Sequence, residues 1–219
     1  PSNPGPAGGD FYVVACDDAR RARDVVVRLC VERIPQAFGL HPRRDVQVLT
    51  PMHRGEAGTE RLNLALQEAL NPPRPGAEQL EHGGRTLRTG DKVMQLRNDS
   101  TRDVANGDLG EVLRVQDDGE VAVDFDGRTV LYRPEQLGEL EHAFAMSVHK
   151  SQGSEYPAVV LVLLPEHHVM LQRNLLYTAV TRAKRLVVIV GADRALRRAV
   201  RNAETQQRYS RLAWRLNEG

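Results

Sequence analysis

The regular patterning of the chain begins with a short apolar run, Phe11-Tyr-Val-Val-Ala15, which predicts a buried strand. Asp17-Asp18 then offers a helix cap. Val25, Val26, Leu29, Val31 and Ile34 recur on one side of a helix expected from about residue 19 to 38. Pro35 strains its last turns and Gly39 supplies a stop. Residues 45–49 predict the next strand, and strand, helix, strand at this spacing predicts a parallel α/β unit. A second helix, at about 59–70, carries Leu62, Leu64, Leu66 and Leu70 and ends at Asn71-Pro-Pro. Residues 72–84 are rich in Pro, Gly and polar side chains and read as a linker.

The period then changes. Val112–Val115, Val121–Val123 and Thr129–Tyr132 are short alternating segments. Turn signals such as Asn106-Gly-Asp, Asp117-Asp-Gly and Asp126-Gly separate them. They predict a small antiparallel β-barrel inserted into the α/β unit. After Leu140 the α/β style returns: a helix near His149, a strand at 159–164, a helix from Arg173 to Lys184, and a strand from Leu186. The expected fold is α/β, a parallel sheet with helices on both faces, interrupted by the barrel. The expected organisation is a linker at 1–9, a first α/β part at 10–84, the insert at 85–140 and a second α/β part at 141–219.

Composition narrows the function little. Thirty basic residues nearly balance 29 acidic ones, so any nucleic-acid surface must be local. Cys16 and Cys30 sit in apolar surroundings and read as buried free thiols of a cytoplasmic protein. No run approaches the roughly 18 apolar residues of a membrane span, and no metal-site spacing is visible. His167-His168 reads as solvated. Arg194, Arg197, Arg198, Arg201, Arg208, Arg211 and Arg215 read as the solvated side of terminal helices anchored by Leu196, Leu212 and Trp214.

Two stretches carry chemistry. Leu176-Tyr-Thr-Ala-Val-Thr-Arg-Ala-Lys184 reads as a short polar helix ahead of a buried strand, presenting Arg182. A guanidinium is always charged and offers a planar fork of donors to phosphate oxygens. The loop G-x-x-x-x-G-K-[ST] that would cradle those phosphates does not occur in the sequence. Residues 145–155, Ala-Met-Ser-Val-His-Lys-Ser-Gln-Gly-Ser-Glu, gather hydroxyls, a His, a Lys and a Gly, all suited to phosphate or ribose. Gly153 lets the backbone turn or approach a ligand closely.

Val148-His-Lys-Ser-Gln-Gly-Ser-Glu155 resembles the fifth motif of superfamily-one helicases, and Tyr177-Thr-Ala-Val-Thr-Arg-Ala-Lys184 resembles their sixth. Leu49-Thr-Pro-Met-His-Arg-Gly55 with Leu62-Asn-Leu-Ala-Leu-Gln67 is similar to the fourth motif region of the RecD-like branch. Gly90–Asn98 and Asn106–Glu111 resemble the start of the SH3-like barrel inserted into the second motor domain of that branch. The resemblance runs from about residue 10 and implies a RecA-like motor domain.

The resemblance implies an arginine finger at Arg182. It implies nucleotide contacts at Gln152, Gly153, Glu155 and Arg54, with either His53 or Arg54 able to hold the last position. Ser147, His149 and Lys150 match DNA-facing positions. Thr178 and Thr181 fit the coupling surface between nucleotide and strand. Lys92, Gln95, Arg97, Asn98 and Arg102 are candidates for a strand-tracking face on the barrel. The implied cofactors are ATP and Mg²⁺, shared with a missing N-terminal RecA-like half. The implied partners are that half and single-stranded DNA, with 5′→3′ polarity and a role in repair or recombination. The chain alone is expected to be catalytically silent. A stand-alone nucleic-acid-binding module and a protein-docking module are the alternatives from other classes.

Overall fold

Apolar runs and alternating runs sort into two different sheets. The computed structural model describes residues 10–203, so the linker and Arg208, Arg211, Leu212, Trp214 and Arg215 lie outside the described residues. β1 (Phe11–Ala15) leads into α1 (Ala19–Arg28), a π-helical segment (Leu29–Arg33) and α2 (Ile34–Phe38). β2 (Val46–Thr50) and α3 (Thr59–Leu70) follow. A hairpin of β3 (Gln79–His82) and β4 (Arg85–Arg88) precedes β5 (Lys92–Gln95), β6 (Leu109–Val115), β7 (Val121–Phe125) and β8 (Arg128–Tyr132). A 3-10 turn, Pro134–Glu139, leads to β9 (Leu140–His142), β10 (Ala145–Ser147) and β11 (Tyr156–Leu163). α4 (Arg173–Val180), β12 (Ala183–Gly191) and α5 (Asp193–Arg201) follow.

The first sheet is parallel, in the order β1-β12-β11-β2-β10. Its central strands are buried on both faces, which is why they read as unbroken apolar runs. One face packs Val48, Val160 and Val188 against Ala22, Val26, Cys30, Ile34, Leu62 and Leu66 of the first three helices and the π-helical segment. The other packs Leu49, Val159, Leu161 and Ile189 against Leu175, Ala179, Ala195 and Ala199 of α4 and α5. β1 departs from expectation: it lies at an edge, with Phe11 49% and Val13 45% exposed.

Asp18 caps α1 by accepting from the Arg21 N–H at 2.8 Å. Pro35 does not break the helix. Its ring and missing N–H disturb the preceding turn, and the π-helical segment, with the Ile34 N–H donating to Leu29 O, absorbs the disturbance there. Gly39 ends α2 in the left-handed region, φ 65°.

The second sheet is antiparallel, β8-β7-β6-β5-β9, around Val93, Val112, Val121, Val123, Phe125 and Tyr132. The 3-10 turn bridges β8 to β9 and closes its open side. Residues 72–84, expected as linker, contain β3 and lead into β4.

A buried polar cluster fastens this sheet to α3. The Asp91 carboxylate is fully enclosed and accepts from Gln67 Nε2 (2.6 Å), Asn71 Nδ2 (2.8 Å), the Arg88 N–H (2.8 Å) and His142 Nε2 (3.2 Å). Gln67 spends its other amide proton on Thr86 O, so the proton between His142 and Asp91 belongs to the imidazole.

Candidate nucleotide and strand interface

Arg182 is not on a helix. α4 ends at Val180: the Thr181 hydroxyl turns back to Tyr177 O (2.9 Å) and Thr178 O (3.1 Å), and the Arg182 N–H closes a tighter turn onto Ala179 O (3.2 Å). Ala183 already pairs with Tyr156. Arg182 therefore occupies the turn at the N-terminal edge of β12. Its Nε donates to Thr178 O (3.2 Å), its Nη1 to Ser154 O (3.1 Å) and its Nη2 to the Thr181 hydroxyl (3.3 Å). All three acceptors are neutral, and no carboxylate of the described residues pairs with it. The contact to Ser154 O joins the two stretches singled out by sequence.

Residues 148–153 form no α-helix, contrary to expectation. Successive turns, with Lys150 N donating to Ser147 O, Ser151 N to Val148 O and Gln152 N to His149 O, lead away from β10. Val148 and Ser151 are buried; His149, Lys150, Gln152 and Gly153 are exposed. Gly153 has φ 89°, a conformation that strains any side chain. Glu155 is exposed and pairs with Lys184 at 3.3 Å. Sequence reading did not anticipate this partner, because nothing local links positions 155 and 184.

Arg54 lies in a loop after β2, at the opposite edge of the sheet. Gly58 lets this loop close, since a β-carbon there would sit 2.4 Å from Arg54 O and 2.5 Å from His53 O. His53 is engaged by the Thr59 hydroxyl (2.7 Å) and Glu60 (3.2 Å). Arg54 is exposed and has no hydrogen bond or ion pair among the described residues. The eight residues of β11 span the sheet between its two edges, roughly 23 Å of strand. The structure thus brings Arg182, Ser154 and Glu155 together and sets Arg54 apart from them. Arg54 shares its edge with Ser147 and Lys150.

The barrel candidates divide. Lys92 points inward: its Nζ donates to Gln47 Oε1 (2.8 Å), lies 5.7 Å from the Tyr156 ring centroid, and is pushed by burial down to about 8. Gln95 is buried and accepts from the Tyr132 hydroxyl. Arg102 stacks 4.6 Å over Tyr132 and pairs with Asp99 and Glu139. Those three are engaged within the fold. Arg97 and Asn98 are exposed, at the outgoing end of β5. His167 also departs from expectation. It is buried, its Nδ1 accepts from the Leu164 N–H (3.1 Å), and burial pushes it down to about 4. Cys16 and Cys30 are buried free thiols, as expected, and burial pushes Cys30 up to about 12.

Among the described residues no helix is long and apolar enough to cross a membrane. Residues 62–125 match the SH3 domain of ATP-dependent RecD-like DNA helicases, and residues 142–190 match the UvrD-like helicase C-terminal domain. The chain is 43% identical over 139 residues to an ATP-dependent RecD2 DNA helicase of Deinococcus radiodurans, covering 64% of this chain and 19% of that protein. It is 34% identical over 202 residues to the RecBCD enzyme subunit RecD of Mycolicibacterium smegmatis, covering 89% of this chain and 35% of that protein. The chain thus spans about a fifth to a third of these relatives. A solved Pif1 helicase, described at forked double-stranded DNA, shares the fold with TM-score 0.51 at 19% identity, over 84% of this chain and 49% of that one. The chain belongs to the RecD-like DNA helicases and carries the SH3 domain and UvrD-like C-terminal domain of their C-terminal region.

Proposed function

We propose that this chain is the second motor half of an ATP-dependent DNA helicase. In this reading 10–84 and 141–219 form one RecA-like domain, interrupted by the SH3-like insert at 85–140. ATP and Mg²⁺ bind between it and an N-terminal half that supplies the phosphate loop and the metal-holding acids. Single-stranded DNA runs across both halves with 5′→3′ polarity. Cleft closure on ATP and opening after hydrolysis move the motor along the strand.

The observation that carries the reading is the Arg182 guanidinium. It is held by two carbonyls and a hydroxyl and has no carboxylate partner among the described residues. Three of its five donors are committed and two are left for a ligand. Water attacks the γ-phosphorus and ADP leaves, so charge builds on the transferred phosphoryl oxygens; a finger aimed there is worth about 10³–10⁵ in rate. Gln152, Gly153 and Glu155 lie on or beside the turn that supports the finger and are proposed to touch the nucleotide. Ser147, His149 and Lys150 are proposed to touch the strand, with Arg97 and Asn98 extending that track onto the barrel. For Arg54, the shared edge with Ser147 and Lys150 favours the strand over the nucleotide. The buried free thiols suit a cytoplasmic protein.

The test is Arg182→Ala in the complete helicase. Hydrolysis is expected to fall by about 10³ or more with oligonucleotide affinity retained. Loss of DNA binding with hydrolysis preserved would sink the assignment. The 219-residue chain alone is expected to turn over no ATP above blank.

A further inference from the structure

Lys150 is already occupied. Its Nζ lies 2.5 Å from Glu141 Oε2, although its turn sits among the residues proposed to contact the strand. Glu141 belongs to β9, a strand of the other sheet, in register with Met94. The two side chains line one cleft with Thr59, Ser147 and Met146. The Lys150 side chain is 43% exposed and that of Glu141 21%. The pair is therefore open to solvent on the lysine side and sheltered on the acid side. The His149 imidazole beside it is exposed and has no partner among the described residues. In this turn the lysine charge is neutralised from within the molecule.

We propose that the Glu141 carboxylate competes with nucleic-acid phosphate for the Lys150 ammonium, and that a bound strand displaces it. A carboxylate and a phosphate oxygen offer the same ammonium the same kind of charge-assisted bond. Phosphate binding at Lys150 therefore breaks the ion pair that ties β9 to the 148–153 turns. The exchange lowers strand affinity and makes release easier, which a motor that must repeatedly let go requires. It also makes strand occupancy felt by β9, whose next residue, His142, belongs to the buried Asp91 cluster. This inference rests on the proposed strand track.

The test is a double-mutant cycle on the 219-residue chain, reading anisotropy of a labelled single-stranded oligonucleotide across a salt series. Glu141→Gln keeps the shape and removes the charge. It is expected to tighten binding by about two- to fivefold at low salt, the scale of an exposed ion pair. The gain should shrink as salt rises, because the freed ammonium adds to counterion release. Lys150→Ala is expected to weaken binding and to abolish the gain from Glu141→Gln. A gain that persists undiminished in the Lys150→Ala background would reflect loss of general negative charge and would overturn the proposal. So would unchanged or weaker binding by Glu141→Gln while Lys150→Ala still weakens it. No effect of Lys150→Ala in the parent chain would overturn the strand track itself.

Discussion

Two polar clusters in this molecule use the same kinds of group to opposite ends. At the junction of α3 with the antiparallel sheet, four N–H donors converge on the enclosed Asp91 carboxylate. At the turn before β12, three neutral acceptors hold the half-exposed Arg182 guanidinium. The first cluster is saturated: the acid has its donors and no ligand could enter without breaking the fold. The second is oriented and still incomplete. Asp91 has all its partners inside and serves the fold, whereas Arg182 is steered and keeps donors for the ligand proposed above.

The largest effect that could break this comparison is at the junction. Asp91→Ala leaves the amides of Gln67 and Asn71, the Arg88 N–H and the His142 imidazole without their common acceptor. Urea denaturation of the chain is expected to report a loss of about 3–5 kcal/mol. A loss below 1 kcal/mol would mean the cluster is not the fastening it is taken to be.

The next effect concerns His167. Its folded value is about 4, against about 6.5 when unfolded. Between those pH values the unfolded chain binds a proton that the folded chain refuses. The contribution is therefore fully present above about pH 6.5 and is lost as pH falls toward 4. The full loss amounts to roughly 3 kcal/mol. His167→Gln should flatten the pH dependence of stability between pH 7 and 4.5. An unchanged slope would locate the acid sensitivity elsewhere.

The smallest effect sharpens the contrast. Arg182→Ala should change the stability of the isolated chain by no more than about 1 kcal/mol, since the bonds lost are partly exposed and their neutral acceptors can turn to water. A much larger loss would make Arg182 a brace of the same kind as Asp91.

Much of the architecture was legible because periodicity reports burial. α3 spans the predicted residues because Leu62 and Leu66 face the sheet, and β8 alternates, with Val130 and Tyr132 buried and Thr129 and Leu131 exposed, as one-sided burial demands. What escaped notice lacked that signal. β10 has three residues, all wholly or partly buried, and the polar sequence after it suggested a helix. In the β3–β4 hairpin only Leu80 and Leu87 are apolar, so β3 looked like linker. The Arg182 stretch was visible as a motif, but its place on a turn depends on the chain leaving the helix at Thr181 and on Tyr156 pairing with Ala183. Side-chain direction in the barrel was the least legible. Lys92, Gln95 and Arg102 resemble surface residues in sequence and are drawn inward by partners 37 to 45 positions away.

The π-helical segment has a consequence beyond its proline. The residues that face the sheet from this helix, Ala22, Val26, Cys30 and Ile34, are spaced four apart throughout. On a regular α-helix each such step overshoots a full turn by roughly 40°. Three steps would carry Ile34 well round the side, away from the strands that Ala22 touches. The wider segment holds more residues per turn, so a step of four within it undershoots and returns much of the accumulated angle. Leu29–Arg33 thus acts as a phase correction. It allows a strict four-residue repeat to stay in step with the sheet from Ala22 to Ile34.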